Sequence, residues 1–231
     1  METGVVIVAA GSGKRMGAER NKLWLPLGGE PILTRTVRLF TSHPEIGEIV
    51  LVVSAQDHEE VLKWKRQEKL KLTVVLGGAE RQDSVRNGLA ALSSDCSYVL
   101  VHDAARPFVT REQISEMIRQ VRRDRASIMA VPVKDTIKVV GADGVVQSTP
   151  ARESLWAVQT PQAFLVSLLR EAHEAAALQA GKTGTDDAML VEWLGHTVSV
   201  VRGSYENIKI TTPDDLWFGE EILRRRKGEG S

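Results

Sequence analysis

Residues 5–17 read Val5-Val6-Ile7-Val8-Ala9-Ala10-Gly11-Ser12-Gly13-Lys14-Arg15-Met16-Gly17, and Lys22 follows five residues later. The β-branched run at the start predicts a buried parallel strand. The strand ends in small residues, and the glycines at positions 11 and 13 let the chain turn so that successive N–H groups face one anion. With cations at positions 14, 15 and 22, the stretch predicts a strand followed by a cradle for a triphosphate.

Two familiar glycine loops do not fit this stretch. The P-loop places a second glycine five residues after the first, but Met16 stands there. The dinucleotide fingerprint puts its third glycine at the same position, whereas Gly17 comes one residue late. The acidic residue that this fingerprint needs would be Glu30, which lies in a loop rich in proline and glycine. A hydride-transferring dinucleotide enzyme is therefore the less favoured alternative.

Short apolar segments alternate with amphipathic segments along the chain. Strands are predicted at 5–10, 49–54, 72–76, 98–102, 127–133 and 197–202, and helices at 32–42, 57–70, 82–92, 111–123, 161–180, 186–194 and 213–225. The pairs Thr160-Pro161, Thr185-Asp186 and Thr212-Pro213 are interpreted as helix N-termini with a hydroxyl cap. The alternation predicts one α/β domain over residues 1–231, with a mainly parallel Rossmann-like sheet and helices on both faces. Ligands of such folds gather at the carboxyl ends of the strands.

Residues 134–158 interrupt this alternation. They predict two or three short strands around the turn Gly141-Ala142-Asp143-Gly144, with no helix to cover them. A lone hairpin is only marginally stable in water. The segment is therefore predicted to be a protruding β-arm that packs on a partner, the alternative being a hairpin folded on its own subunit.

Composition narrows the class of protein. Thirty basic residues balance thirty acidic residues, so the chain has no general attraction for nucleic acid or an anionic membrane. No run approaches the roughly 20 apolar residues that span a bilayer, and the apolar run precedes the cations, the reverse of a signal peptide. Cys96 is the single cysteine, which excludes an intramolecular disulfide. We expect a soluble cytoplasmic protein that binds phosphate through local cations.

The glycine loop and five later segments resemble the sugar nucleotidyltransferases. The later segments are Gly77-Gly78-Ala79-Glu80-Arg81-Gln82-Asp83-Ser84-Val85, Val101-His102-Asp103-Ala104-Ala105-Arg106-Pro107, Trp156-Ala157-Val158-Gln159-Thr160-Pro161-Gln162, Thr185-Asp186-Asp187 and Asn207-Ile208-Lys209-Ile210-Thr211. Within that superfamily they are similar to the 2-C-methyl-D-erythritol 4-phosphate cytidylyltransferase family, in the same order, from about residue 4 to about residue 218.

The resemblance implies a reaction. CTP and 2-C-methyl-D-erythritol 4-phosphate would give 4-diphosphocytidyl-2-C-methyl-D-erythritol and pyrophosphate, a step of non-mevalonate isoprenoid biosynthesis. It further implies Mg²⁺ or another divalent cation, and a homodimer joined through the β-arm. Negative charge grows on the α-phosphoryl group during such a displacement, so catalysis requires positioning and cations more than a nucleophile.

The same resemblance implies a role for individual residues. Arg15 and Lys22 match the catalytic cations. Nucleotide-binding positions are Ala9, Ala10, Gly11, Ser12, Gly13, Gly78, Ser84, Asp103 and Ala104. Asp103 is also the candidate metal ligand. The sugar-phosphate pocket comprises Thr136, Arg152, Thr185 and Lys209, of which Thr136 and Arg152 lie on the arm and would reach the neighbouring subunit's site.

Two alternatives stay open at this point. A ribitol 5-phosphate cytidylyltransferase has similar motifs and differs in the sugar phosphate that it accepts. A non-catalytic nucleotide-binding regulator is the alternative of another class, and it would not need both Arg15 and Lys22 near the α-phosphate.

Overall fold

A computed structural model describes residues 2–11, 21–178 and 183–228. The strands of this part are β1 (Glu2–Ala9), β2 (Pro26–Leu27), β3 (Glu30–Pro31), β4 (Glu48–Val53), β5 (Thr73–Leu76), β6 (Cys96–Asp103), β7 (Ala126–Pro132), β8 (Val139–Val140), β9 (Val146–Ser148), β10 (Trp156–Leu165) and β11 (Ser199–Arg202). The helices are α1 (Ile32–Thr41), α2 (His58–Gln67), α3 (Arg81–Ala90), α4 (Arg111–Asp124), α5 (Val166–Ala177), α6 (Asp187–Trp193) and α7 (Pro213–Gly228). Within the described ranges, no helix has both the length and the apolar character that crossing a membrane requires.

Seven strands form the central sheet in the order β11-β7-β10-β6-β1-β4-β5. β1 runs parallel to both neighbours, and Val6 lies opposite Val50 on one side and Val101 on the other. β5 extends the parallel set beyond β4, and β11 runs parallel to β7. β10 is antiparallel to β6 and to β7. The predicted mainly parallel α/β fold is confirmed, and the carboxyl ends of β1, β4, β5 and β6 meet at one edge.

Helices cover both faces of this sheet. Side chains alternate along β1, so Val5 and Ile7 face one apolar layer while Val6 faces the other. The first layer includes Phe40 of α1 and Met117 of α4, and the second includes Leu89 of α3 and Leu169 of α5. Each fully buried side chain of this size contributes about 1.5–3 kcal/mol. The two layers therefore hold β1 between them and fix the position of its carboxyl end, where the glycine loop begins.

The helix predicted over 161–180 is wrong at its start. Thr160 and Pro161, joined by a cis peptide bond, lie inside β10, and α5 begins only at Val166. The register between β10 and β7 shifts between Gln159 and Gln162, so Pro161 occupies a place where the ladder is already interrupted. Proline has no N–H to donate, and a sheet tolerates it at such an irregularity. The Thr-Pro pair therefore marks a break in strand pairing.

The other two predicted helix starts agree with the structure to within one residue. α6 begins at Asp187, but its cap is Asp186, whose Oδ1 accepts from the Met189 N–H at 2.9 Å. The predicted Thr185 cap is therefore wrong, because the carboxylate one residue later takes the position. α7 begins at Pro213, where Asp215 Oδ2 accepts from the Thr212 N–H at 2.8 Å.

The hairpin predicted within 134–158 is confirmed for β8 and β9, which pair in a separate two-stranded ladder. In its turn the Gly144 N–H donates to the Gly141 carbonyl at 3.0 Å, and Gly144 has φ +79°, a conformation that suits glycine. The last strand predicted in this segment is the start of β10. Val139, Val140 and Val146 are exposed on the hairpin. Dimerisation through this segment stays a prediction.

Candidate active site

A cleft of about 480 Å³ opens at the carboxyl edge of β1 and β6. Its lining comes from the end of β1, the 3-10 helix Lys22–Trp24, the turn between β5 and α3, the end of β6 and a segment after β11. The lining residues are Val8, Ala9, Ala10, Gly11, Lys22, Leu23, Gly78, Ala79, Glu80, Arg81, Ser84, Asp103, Ala105 and Lys209. Segments far apart in the sequence thus bring Lys22, Arg81 and Lys209 to one cavity.

The turn between β5 and α3 packs tightly against the end of β1. A Cβ added at Gly77 would lie 2.5 Å from the Ala10 Cβ, and one added at Gly78 would overlap Asp83. Ser84 holds the turn in place, because its Oγ accepts from the Gly78 N–H at 3.1 Å and donates to the Glu80 carbonyl at 3.1 Å. Only glycine lets the backbone come this close, and Gly78 and Ser84 of this region line the cleft.

Lys22 is positioned by its preceding residue. Asn21 caps the short helix through Oδ1, which accepts from the Leu23 N–H at 3.1 Å. The Asn21 amide also donates to Asp57 Oδ2 at 2.6 Å, and the Ser54 hydroxyl donates to the same oxygen at 2.6 Å. Leu23 is buried in the core. These contacts tie the start of the helix to the end of β4 and set Lys22 on the cleft wall.

Asp103 closes β6 and carries the negative charge at the centre of the cleft. Its Oδ1 lies 3.3 Å from Arg81 Nε, and its Oδ2 lies 2.7 Å from Lys209 Nζ. Burial opposes ionisation, but the positive charges of Arg81 and Lys209 outweigh it and hold the pKa of this carboxyl well below its usual range. Asp103 is therefore an anion with both oxygens occupied by cations.

Arg81 joins this carboxylate to a second one in the interior. Its Nη1 lies 2.8 Å from Asp187 Oδ2, and Asp187 Oδ1 lies 3.1 Å from His173 Nε2. The side chains of Asp187 and His173 are each only 1% exposed. Burial disfavours the guanidinium charge, yet Asp187 and Asp103 keep the pKa of Arg81 above its usual value. A series of polar contacts therefore leads from Asp103 in the cleft through Arg81 to Asp187 and His173 in the interior.

The segment that carries Lys209 is fastened to the end of β6 on both sides. The Asn207 amide donates to the Thr160 carbonyl at 2.9 Å, and the Ile210 N–H donates to the Ala105 carbonyl at 2.8 Å. Arg106 Nη1 donates to the Asn207 carbonyl at 2.7 Å. These bonds place Lys209 opposite Asp103.

His102 lies directly behind the cleft and is fully buried. One hydrogen-bond assignment satisfies its neighbours: the Asp103 N–H donates to Thr160 Oγ1 at 3.0 Å, the Thr160 hydroxyl donates to His102 Nδ1 at 3.2 Å, and His102 Nε2 donates to the Arg106 carbonyl at 3.0 Å. This arrangement requires a neutral imidazole, and burial lowers the pKa of His102 to about 4. His102 thus supports the end of β6 and carries no charge near neutral pH.

The structure brings together many of the predicted site residues. Ala9, Ala10, Gly11, Lys22, Gly78, Ser84, Asp103 and Lys209 all line the cleft. Ala104 is buried, its N–H donating to the Val8 carbonyl at 3.0 Å and its carbonyl accepting from Thr36 Oγ1 at 2.7 Å, while the adjacent Ala105 lines the cavity. Ser12, Gly13 and Arg15 lie outside the described residues.

The remaining predicted residues lie elsewhere on the surface. Thr136, Arg152 and Thr185 are exposed and do not belong to the cleft lining. Arg152 Nη1 donates to the Lys134 carbonyl at 3.2 Å, within the segment that carries the hairpin. Of the four residues predicted for the sugar phosphate, Lys209 lines this cleft and Thr185 does not. Thr136 and Arg152 are predicted for the neighbouring subunit's site, and that assignment stays a prediction.

Sequence reasoning gave no role to Arg81 or Asp187. Arg81 is the first residue of α3, and a cation three residues after the Gly77-Gly78 pair at the carboxyl edge was the available signal. Asp187 follows the capping Asp186, so the sequence shows it as one of two acidic residues at a helix start. Its contact with Arg81 joins residues 106 positions apart, which no local pattern reveals.

Comparisons with known proteins agree with this geometry. The family model described as IspD, 2-C-methyl-D-erythritol 4-phosphate cytidylyltransferase, matches residues 3–225. A protein of that name from Geobacillus kaustophilus is 50% identical over 228 residues, covering 97% of this chain and 98% of its own. Another from Alkaliphilus metalliredigens is 49% identical over 227 residues, covering 96% of this chain and 93% of its own.

A solved structure extends the likeness to three dimensions. The 4-diphosphocytidyl-2C-methyl-D-erythritol synthase of Anaerococcus prevotii superposes with a TM-score of 0.86 at 36% identity, covering 96% of each chain. The family match spans the cleft and nearly all of the described fold. The chain therefore belongs to the 2-C-methyl-D-erythritol 4-phosphate cytidylyltransferase family.

Proposed function

We propose that this enzyme transfers the cytidylyl group of CTP to the phosphate of 2-C-methyl-D-erythritol 4-phosphate. An oxygen of the sugar phosphate attacks the α-phosphorus of CTP, the bond from that phosphorus to the bridging β-phosphate oxygen breaks, and pyrophosphate leaves. The product is 4-diphosphocytidyl-2-C-methyl-D-erythritol, an intermediate of isoprenoid biosynthesis. The observation that carries the proposal is the cleft of this chain, a member of the family: Lys22 lines it, and Arg81 and Lys209 pair with Asp103 within it.

The cations of the cleft suit this chemistry. Two anions must approach each other, and negative charge accumulates on the α-phosphoryl oxygens in the transition state. Fixed positive groups lower that barrier without having to reorganise during the reaction. We assign this role to Lys22 and to Arg15, the latter on the basis of the sequence alone.

We further propose that Mg²⁺ binds together with the nucleotide and that Asp103 is one of its ligands. Mg²⁺ in nucleotide sites is held by one or two carboxylates together with phosphate oxygens. Across the described residues, no group of three or more His, Cys, Asp or Glu could hold a metal ion. When bound, Mg²⁺ would neutralise part of the triphosphate charge.

Asp103 fits this role if Lys209 moves. Arg81 and Lys209 occupy the two oxygens of Asp103. Arg81 is held from behind by the buried Asp187, whereas the Lys209 side chain is 40% exposed. We therefore expect Lys209 to leave Oδ2 for the phosphate of the sugar, which would leave this oxygen of Asp103 available to hold the metal.

We propose that the enzyme works as a homodimer in which the β8–β9 hairpin of one subunit completes the site of the other. Exposed apolar side chains on the hairpin support this proposal, namely Ile137, Val139, Val140, Val145 and Val146. Val140 lies opposite Val146 in the hairpin ladder, and exposed apolar side chains grouped in this way are typical of an interface. Thr136 and Arg152 lie in the same segment and would supply the partner's sugar-phosphate pocket.

We propose a cytoplasmic location, where CTP is made and where the buried Cys96 stays a thiol. The balanced charge of the chain also favours small-molecule substrates over nucleic acid or membrane surfaces.

The test is pyrophosphate release from each of the four nucleoside triphosphates, with methylerythritol phosphate or ribitol 5-phosphate as acceptor. We expect turnover only with CTP and methylerythritol phosphate in the presence of Mg²⁺. Faster turnover of ribitol 5-phosphate would reassign the substrate. Nucleotide binding without pyrophosphate release from any pair would indicate a regulator and overturn the proposal.

A further inference from the structure

Arg81 connects the cleft to a carboxylate that the cleft does not contain. Its Nε lies 3.3 Å from Asp103 Oδ1 and its Nη1 lies 2.8 Å from Asp187 Oδ2. Arg81 and Asp103 line the cavity, whereas Asp187 is not part of the lining and its side chain is 1% exposed. The contact through which Asp187 reaches the cleft is therefore its ion pair with Arg81.

Asp187 is itself held on its other side. Its Oδ1 lies 3.1 Å from His173 Nε2, and the His173 side chain is 1% exposed within α5. Asp187 is the first residue of α6, and Asp186 caps that helix while accepting from the Gln162 amide at 2.8 Å. Contacts within α5, α6 and β10 thus fix the position of the Asp187 carboxylate independently of Arg81.

The planar guanidinium transmits this position to Asp103. Nε and Nη1 belong to one rigid fork, so an anchor on Nη1 also fixes the direction of the Nε–H bond. That bond decides which oxygen of Asp103 faces Arg81 and which one faces Lys209. Without the anchor, Arg81 and Asp103 would rotate together, and the carboxylate would lose its orientation in the cleft.

We infer that Asp187, supported by His173, is a positioning residue of this site: it fixes the Arg81 guanidinium, which orients the Asp103 carboxylate toward the nucleotide and its metal. The inference rests on the proposed function only in taking Asp103 as the group that meets the nucleotide. A plain structural role for the buried pair would cost stability alone. A positioning role also changes kinetics, and it does so only through Arg81.

A double-mutant cycle separates the two roles. We compare the parent with Asp187→Asn, Arg81→Lys and the double variant by kcat/KM for CTP at saturating sugar phosphate. Loss of a supporting contact of this kind costs about 10–100-fold, and Lys cannot reach both carboxylates as the guanidinium does. We expect the double variant to be no worse than Arg81→Lys alone. Losses that multiply in the double variant would overturn the inference.

Glu48→Gln is the matched control for stability. Glu48 accepts from Ser93 Oγ at 2.7 Å and from the Cys96 thiol at 3.1 Å, at the opposite edge of the sheet from the cleft. Like Asp187→Asn, it replaces a hydrogen-bonded carboxylate by an amide, although Glu48 is only partly buried. We expect it to lower the melting temperature and to leave kcat/KM at the parent value. If Glu48→Gln lowered kcat/KM as much as Asp187→Asn does, the effect of Asp187→Asn would be one of stability alone.

A second measurement does not depend on turnover. The Arg81 Nε–H signal in a nitrogen-edited NMR spectrum, assigned by its absence in Arg81→Lys, reports the bond to Asp103 through its exchange with water. We expect severalfold faster exchange in Asp187→Asn, and also in His173→Gln, which serves if the first variant does not fold. Unchanged exchange in a folded variant would overturn the inference. If the parent fails to turn over CTP, the proposed function falls, while the exchange rates still decide whether Asp187 positions Arg81.

Discussion

Lys209 Nζ lies 2.7 Å from Asp103 Oδ2, and this contact joins a segment after β11 to the end of β6. The lysine side chain is 40% exposed, while the carboxylate is 11% exposed. The ammonium group can therefore move toward an incoming phosphate while the carboxylate stays in place.

Lys209→Gln should weaken binding of the sugar phosphate more than binding of CTP. A hydrogen bond to a charged group contributes about 1.5–3 kcal/mol, so we expect kcat/KM for the sugar phosphate to fall by about tenfold or more. Initial rates with each substrate varied in turn give the two constants. The exposed Lys71→Gln serves as the control, and equal changes in both KM values would contradict the assignment.

Lys22→Ala and Arg15→Ala should lower kcat by about two or more orders of magnitude, because both cations act on charge that grows in the transition state. Saturating steady-state rates measure this directly, with Lys71→Ala as the control on the surface. A kcat for Lys22→Ala within about threefold of the parent would remove Lys22 from the catalytic group.

Ser84→Ala should loosen the floor of the nucleotide pocket. It removes the acceptor of the Gly78 N–H, a bond of about 1 kcal/mol, so we expect KM for CTP to rise about fivefold. Ser93→Ala, which removes a hydroxyl at the far edge of the sheet, should leave this KM unchanged. We also expect UTP, ATP and GTP to remain poor substrates of the parent, and equal turnover of CTP and UTP would rule out the proposed base pocket.

Mixing two inactive variants should restore activity if the hairpin completes a neighbouring site. Arg152→Ala should raise KM for the sugar phosphate far more than for CTP, since Arg offers a fork that matches a phosphate. When Arg152→Ala and Lys22→Ala proteins are dissociated and reassociated together, one site of each mixed dimer holds both intact residues. Recovered turnover in the mixture supports the shared site, whereas a fully active monomer excludes it.

Acid should destabilise this protein through His102 before the paired carboxylates titrate. Burial lowers the pKa of His102 from 6.5 to about 4. Between pH 6.5 and pH 4, therefore, this histidine is protonated in the unfolded chain but neutral in the folded protein. Stability from this residue is complete above pH 6.5 and falls as the pH drops toward 4, by up to about 1.4 kcal/mol per pH unit. Denaturation midpoints across this range measure the slope. His102→Asn should flatten it, and an unchanged slope in that variant would contradict the assignment.

The sequence predicted the parts of the fold that local patterns determine. The β-branched run of β1 and the glycines after it placed the cleft at a carboxyl edge, and Lys22, Gly78, Ser84, Asp103 and Lys209 do meet there. The start of β10 was predicted as a helix because Thr160-Pro161 has the pattern of a helix N-terminus. The irregular pairing that accommodates this proline depends on β7, which is distant in the sequence. The contact between Arg81 and Asp187 was not predicted because it arises where α3 and α6 both pack against α5, which residue spacing does not encode.

The place of β10 in the sheet has a consequence for how the chain is made. β7 pairs with β10 and β11, both of which follow it in the sequence, while β1, β4, β5 and β6 pair among themselves and with β10. A nascent chain that has emerged through β6 can already assemble four parallel strands, but their β6 edge stays open. β7 waits without a neighbour until residues 156–165 leave the ribosome and bridge it to β6. Translation arrested within the exposed hairpin would therefore leave one edge of β6 and both edges of β7 unpaired, and unpaired edges of this kind favour aggregation.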